Sequence, residues 1–342
     1  MIDLSMLKEL CGLPGVSGRE NAVRDYIISK IDGFADYETD NLGNLIVHKK
    51  GLKQAKAKLM IAAHMDEVGV VASHITDGGF IKFVTAGSIG PGVLLGRALI
   101  FESGARGVVG IKPVHLVDDA DKDKLPKLEN LYIDIGADSR EEALKHVRIG
   151  DSAVFDSGFM EFGDNKIKSK ALDDRVGCAI MISLIQSEIE YDTAFVFTVQ
   201  EEVGLRGAGA AAFTVRPDCA IILEGTTAAD IIGSKEHERV CVQAEGAAIS
   251  FMDKATVYDR SLYDLAFETA KKNGIKAQPK TVVAGGNDAG VIHKAAGGAK
   301  TIAVNVPCRY IHSPSCVADK RDIESAFSLV KTLIKEIGKH DV

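Results

Sequence analysis

At 342 residues and 46% hydrophobic content, the chain has the length for about two domains and the apolar material for a sizeable core. Its net charge of −7 comes from interspersed acids and bases, with no basic stripe of the kind that binds nucleic acid or an anionic membrane. No run approaches the roughly 20 apolar residues that cross a bilayer, and the N-terminus lacks the basic start of a signal peptide, so a soluble, cytoplasmic protein is expected.

Met1–Cys11 and Glu20–Ile31 carry helical spacing, and Ser17-Gly18-Arg19-Glu20 has the pattern of a capping box for the second helix. Lys58–Ala63 is an apolar run that reads as a buried strand ending at His64. From about Val70 to Asp164 the pattern changes. Short β-like runs at Phe80–Thr85, Ala98–Phe101, Gly107–Ile111 and Ser152–Phe155 alternate with glycines and charges. A helical piece at Glu141–His146 and a charged loop at Asp118–Lys127 interrupt them. Such a segment suits a small β-barrel or β-sandwich.

Alternating helices and strands then resume. A helix is expected over Asp174–Ser187, strands over Ala194–Gln200, Cys219–Leu223 and Thr301–Val306, and helices over Leu262–Lys272 and Asp319–Lys335. A small-residue segment, Gly207–Phe213, lies between the first two strands. The pattern predicts an α/β fold with a mostly parallel (mixed) sheet sandwiched by helices. Residues 70–164 are expected to form a β-rich domain inserted into an α/β domain made of 1–69 and 165–342. Six scattered cysteines, without a Cys-x-x-Cys pair, read as buried reduced thiols.

Several acids and histidines fall at the ends of these strands or beside them: His64, Asp173 with Asp174, Glu201 with Glu202, Glu224 and His312. In open α/β sheets, ligands bind outside the carboxyl ends of the strands. Any one of these residues has a bland reading, as a solvated strand end or a histidine bonded to a carbonyl. Together, two histidines and several carboxylates match the ligand set for two divalent ions with one carboxylate bridging. Asp66, two residues after His64 on an extended segment, can fix that histidine's ring, or be a solvated loop acid.

Other motifs fit less well. Gly207-Ala-Gly209-Ala-Ala-Ala212 is a relaxed dinucleotide fingerprint, but Glu201 and Glu202 would repel a pyrophosphate there. Ala86-Gly87-Ser88-Ile89-Gly90 misses the Gly-x-Ser-x-Gly elbow by one glycine, and no Walker-type loop is present. Glu201 and Glu202 as a glycosidase pair would diverge from one another on a strand.

Six motifs occur in order: His64-Met-Asp-Glu-Val-Gly, Ala171-Leu-Asp-Asp-Arg-Val-Gly177, Val199-Gln-Glu-Glu-Val-Gly-Leu-Arg-Gly207, Leu223-Glu-Gly-Thr-Thr-Ala-Ala-Asp230, Gly285-Gly-Asn-Asp-Ala-Gly290 and Arg309-Tyr-Ile-His-Ser313. With them the chain resembles, nearly end to end, the dinuclear metallo-aminopeptidases that include glutamyl and deblocking aminopeptidases and the tetrahedral (TET-type) peptidases. The resemblance implies that His64 binds one metal and His312 the other. Asp173, preceding a cis peptide to Asp174, would bridge them. Glu202 would complete the His312 site and Glu224 the His64 site. Relatives place an aspartate or a glutamate at the position of Glu224.

The implied reaction is removal of the N-terminal residue from short peptide substrates. A water bridging two divalent ions, Zn or Co, would attack, with Glu201 as general base. Asp288 and Arg309 are candidates for shaping the pocket, against readings as a turn residue and a surface cation. The resemblance also implies self-association through the inserted domain and a hollow homododecamer. Two alternatives stay open: a related hydrolase that removes an acyl group or a C-terminal residue, and a non-catalytic oligomer that keeps the fold as a binding shell. An acidic first residue would need a cation such as Arg97, Arg309 or Lys235.

Overall fold

The computed structural model describes residues 2–117 and 124–340. The chain starts with helices α1 (Leu4–Gly12) and α2 (Asn21–Ile31), a hairpin of β1 (Asp36–Thr39) and β2 (Leu45–Lys49), and β3 (Leu59–His64). Next come β4 (Gly69–Ile75), β5 (Ile81–Ala86), β6 (Ala98–Phe101), β7 (Arg106–Gly110), β8 (Tyr132–Asp134) and β9 (Ser152–Phe155). These six close into a barrel in the order β4-β5-β8-β7-β6-β9, with single-turn helices α3 (Pro91–Leu94) and α4 (Arg140–Ala143) in its connections. Val70, Ile81, Leu99, Val109, Ile133 and Phe155 fill the barrel with a core of its own.

After the barrel come β10 (Met160–Phe162), β11 (Lys166–Ser169), α5 (Leu172–Gln186), β12 (Thr193–Thr198), α6 (Arg206–Val215) and β13 (Cys219–Thr227). The chain continues through β14 (Ala247–Ser250), α7 (Arg260–Lys272), β15 (Ala277–Lys280) and α8 (Ala289–Ile292). It closes with β16 (Lys300–Arg309), β17 (Cys316–Asp319) and α9 (Lys320–Ile337). Eleven of these strands, from before and after the barrel, make one mixed sheet in the order β1-β2-β12-β3-β13-β16-β17-β11-β10, with β14 and β15 joined through β16.

Its centre, β12-β3-β13-β16, is parallel, as expected for strands buried on both faces. Alternation along β3 divides the side chains. Leu59, Ile61 and Ala63 face the larger core, while Met60 and Ala62 face the smaller core with Ala208, Ala211 and Ala212 of α6. The small-residue segment is therefore a packing helix. A Cβ at Gly207 would meet Asn44 Oδ1 at 2.3 Å and the Val199 carbonyl at 2.5 Å, so close backbone approach explains this glycine without a nucleotide.

The expected strands and long helices form within a few residues of their anticipated ends. The 141–146 helix shrinks to the single turn Arg140–Ala143, and residues 118–123 of the expected charged loop lie outside the described residues. The strand expected to stop at Leu223 continues to Thr227, because Gly225, Thr226 and Thr227 pair with Val306, Pro307 and Cys308 of β16. All six cysteines are free and buried. Among the described residues, no helix is long and apolar enough to cross a membrane.

Arg175 of α5 is fully buried and ties α1 to the segment after β3. It donates to the carbonyls of Leu10 at 2.6 Å and Met65 at 2.9 Å, and lies 3.5 Å from Glu67. Replacing it by Met should cost about 3 kcal/mol, because buried acceptors lose their donors. Guanidinium unfolding measures this; an unchanged midpoint would show that the guanidinium is dispensable.

Candidate metal centre

Five segments deliver acids and imidazoles to one point at the carboxyl end of the parallel strands: β3, β13, α5 and the turns that follow β12 and β16. His64 is the last residue of β3, and Glu224 lies on β13, which pairs with β3 only as far as Ile222 opposite Ala62. Beyond that pair the strands separate and Glu224 reaches the histidine, its Oε1 3.2 Å from Nε2. Asp173 opens α5 and joins Asp174 through a cis peptide. Its Oδ1 is 3.3 Å from His64 Nε2 and its Oδ2 is 3.3 Å from His312 Nε2. Glu202, beyond β12, places Oε1 3.3 Å from the same His312 nitrogen. A Cβ on Gly225 would stand 3.0 Å from Asp173, so the residue after Glu224 must be small for this approach.

Two ligand clusters result, His64–Asp173–Glu224 and Asp173–Glu202–His312, sharing Asp173. Ligands at about 2.0–2.1 Å from a tetrahedral ion stand roughly 3.3–3.4 Å apart, close to the 3.2–3.3 Å observed. Glu202 Oε1 is buried and accepts no hydrogen bond, an orphan that a cation would satisfy. The donor set therefore fits divalent metal. The second cluster faces a small recess also lined by Lys170, Ser313 and Cys316. A roomier depression bordered by His48, Lys50, Leu59 and Thr193 lies at the amino ends of β3 and β12, away from both clusters.

Both imidazoles are oriented by backbone carbonyls. His64 Nδ1 donates to the Asp66 carbonyl at 3.0 Å, and His312 Nδ1 to the Ser88 carbonyl, from the loop after β5, at 2.9 Å. A carbonyl can only accept, so each Nδ1 carries a proton and Nε2 faces the centre. The Asp66 carboxylate also stands beside this ring, its Oδ1 3.5 Å from Nδ1 of His64. It accepts from the amides of Glu201 and Glu202 at 3.0 and 3.1 Å and from Ser17 Oγ at 2.6 Å. The capping box expected at Ser17 does not form, because its hydroxyl is used here and α2 starts without a side-chain cap.

Burial dominates the electrostatics. It pushes Glu201 and Glu224 well above the ordinary glutamate range, the nearby His64 charge only partly opposing it. Glu202 rises for the same reason, against its His312 contact. Burial also works to neutralise the histidines, but carboxylates win. His64 is raised well above its usual value by Glu224 and Asp173, and His312 is pushed up to about 11 by Asp173 and Glu202. Asp173, though buried, is held far below the ordinary range by the two imidazoles.

Asp288 and Arg309 fall outside this cluster. Asp288 is 1% exposed, bonds Thr198 Oγ1 at 2.5 Å, and is raised to about 6 by burial. It is not among the residues that line the recess. Arg309 spends its guanidinium on Asp230, with two contacts of 2.7 Å. Sequence reasoning missed Glu20 as a partner of this region and Ser88 as the orienting group for His312; neither contact has a local sequence signal.

The profile described as M42 glutamyl aminopeptidase matches residues 43–329. A lysyl aminopeptidase of Pyrococcus furiosus is 34% identical over 355 residues, covering 100% of this chain and 99% of the relative. The solved aminopeptidase APDkam598 of the archaeon Desulfurococcus kamchatkensis superposes with a TM-score of 0.92 at 36% identity, over 97% of this chain and 94% of that one. The Pyrococcus horikoshii TET1 peptidase, described as able to assemble into a tetrahedron or a large octahedral shell, gives 0.86 at 35% identity, over 97% and 98%.

Protons compete with cations for the lone pairs of these ligands. Because both histidines keep protons above their ordinary range, metal affinity should fall on acidification, about tenfold per pH unit for each proton displaced. Competition against a chromophoric chelator measures it. A pH-independent affinity would contradict binding at these clusters.

Proposed function

The chain belongs to the M42 glutamyl aminopeptidase family and is a peptidase; on that premise we propose a two-metal aminopeptidase that removes the N-terminal residue from short peptides, with Glu201 as general base. The observation that carries this reading is the sharing of Asp173 by two His–carboxylate clusters, while Glu201, immediately before a ligand of one, belongs to neither. His64, Asp173 and Glu224 would hold one ion and Asp173, Glu202 and His312 the other. Imidazole and carboxylate donors suit Zn or Co. Bound there, the ions would supply Lewis acidity, acidifying a shared water, polarising the scissile carbonyl and accepting the free α-amine.

The chain's own part is proton traffic and orientation. Glu201 takes a proton from the attacking water as its oxygen bonds the carbonyl carbon, then gives it to the amine nitrogen as the C–N bond breaks. Its burial favours the protonated form, which suits a base that must keep the proton between the two events. Asp66 holds the Glu201 and Glu202 amides, so base and ligand point to different sides of one turn.

We place this chemistry in a unit made of 1–69 and 165–342, and self-association, towards a dodecameric shell, in the inserted residues 70–164. Support comes from apolar side chains exposed on that segment, including Val84 at 52%, Val108 at 51% and Leu125 at 84%. Six free buried thiols suit a reducing cytoplasm.

Glu201→Gln should keep two ions per chain by elemental analysis and lose about two to four orders of magnitude in kcat on aminoacyl anilides. His64→Ala and His312→Ala should each bind one ion fewer. Turnover of N-acylated or C-terminal substrates in preference to free N-termini would overturn the aminopeptidase assignment. Separately, Val84→Glu with Val108→Glu should lower the mass found by light scattering; an unchanged assembly would exclude the barrel face.

A further inference from the structure

Three successive amides at the tandem glutamates are bound by carboxylates. Glu201 and Glu202 donate to Asp66, and Gln200 donates to Glu20 Oε1 at 3.1 Å. Strand β12 has ended at Thr198, and Gln200 has φ 58°, in the left-handed region that a side chain disfavours. Its half-buried N–H has no strand neighbour to receive it, so an acceptor must come from elsewhere. Glu20, only 5% exposed, supplies it.

Glu20 belongs to the loop between α1 and α2, far away in sequence. Its carboxylate also accepts from Gly18 N at 2.7 Å, and Ser17 of the same loop donates to Asp66 Oδ2 at 2.6 Å. The loop is anchored beside His64, where Glu67 N donates to the Gly15 carbonyl at 2.9 Å and Val16 bridges Glu67. It thus straps the Gln200–Glu202 turn to the segment that follows β3. Neither Glu20 nor Asp66 contributes to a ligand cluster.

We propose that Glu20, with Ser17 acting through Asp66, is a positioning residue for the reaction, holding the Gln200–Glu202 backbone so that Glu202 faces His312 while Glu201 stays clear of both clusters. The inference rests on the reading of Glu201 as base. Neighbouring side chains diverge only as their backbone directs them. A turn in the left-handed region with an unbonded, half-buried amide relaxes, and relaxation moves base and ligand together.

The test compares Glu20→Ala, Glu20→Gln and Ser17→Ala with the parent, each loaded with metal and quantified for bound ions. Glu20→Ala should lose about 10- to 100-fold in kcat per metal-loaded site, with KM changing less than kcat because a displaced base acts on the transition state. Glu20→Gln keeps the acceptor oxygen and should restore most of the rate. Hydrogen exchange on metal-free protein gives an arm independent of activity: amides 200–202 should exchange at least about tenfold faster in Glu20→Ala, with the core strands unchanged. Should Glu20→Ala fail to fold, Ser17→Ala, which deletes one oxygen, should show smaller changes in the same direction. Parental kcat and parental exchange in Glu20→Ala, or a glutamine that fails to rescue, would overturn the proposal. Glu201→Gln runs in parallel: full activity there sinks the base assignment, and the exchange arm alone then decides the strap.

Discussion

One carboxylate organises the centre. Asp173 offers an oxygen to each of two imidazoles at 3.3 Å, and both clusters are defined by that sharing. The position is demanding. Asp173 must sit at the start of α5 against Gly225, within reach of β3 on one side and of the loop after β16 on the other. In a buried setting, like charges at such spacing repel strongly, because little water screens them. The pKa shifts follow from burial first and from this crowding second: Glu201, Glu202 and Glu224 are driven towards the neutral form, while the neighbouring carboxylates hold the histidines in the charged one. A site built this way favours cations.

The same constraint couples parts of the molecule that have separate cores. The barrel encloses its own apolar cluster, yet the Ser88 carbonyl, from a barrel loop, orients His312. The N-terminal helices pack on the sheet, yet their connecting loop reaches the tandem glutamates through Ser17 and Glu20. Buried Lys170 and Arg175 meet at Glu67, three residues beyond His64. The centre is thus held on several sides by hydrogen bonds to backbone, which favours a rigid arrangement of ligands.

Legibility followed the physics of each signal. The apolar runs at Leu59–His64 and Thr193–Thr198 and the amphipathic α9 are written in local periodicity and were read with small errors at the ends. The hairpin β1–β2 was missed because its first strand is short and exposed throughout, with no burial pattern to read. Ser17–Glu20 shows why a correct motif can mislead. Its side chains have the right chemistry for a local cap, but the Ser17 hydroxyl donates to Asp66 and the Glu20 carboxylate accepts from Gln200 N. Arg309 similarly has the charge for a substrate anion, and Asp230 takes both of its donors.

By itself, the sequence determined which residue types stand at the strand ends, because hydrophobic runs must stop where polar groups begin and the periods of strand and helix are local properties. It also carried the ordered motifs that name the family. Tertiary structure alone decided the partners: that the Asp66 carboxylate serves two amides while its carbonyl serves His64, that Glu20 takes the amide of Gln200, and that Asp288 accepts from Thr198. The reason is distance along the chain. Hydrogen bonds between residues 17 and 66, or 20 and 200, exist only after the sheet has brought those segments together, and no local pattern in the sequence encodes the meeting.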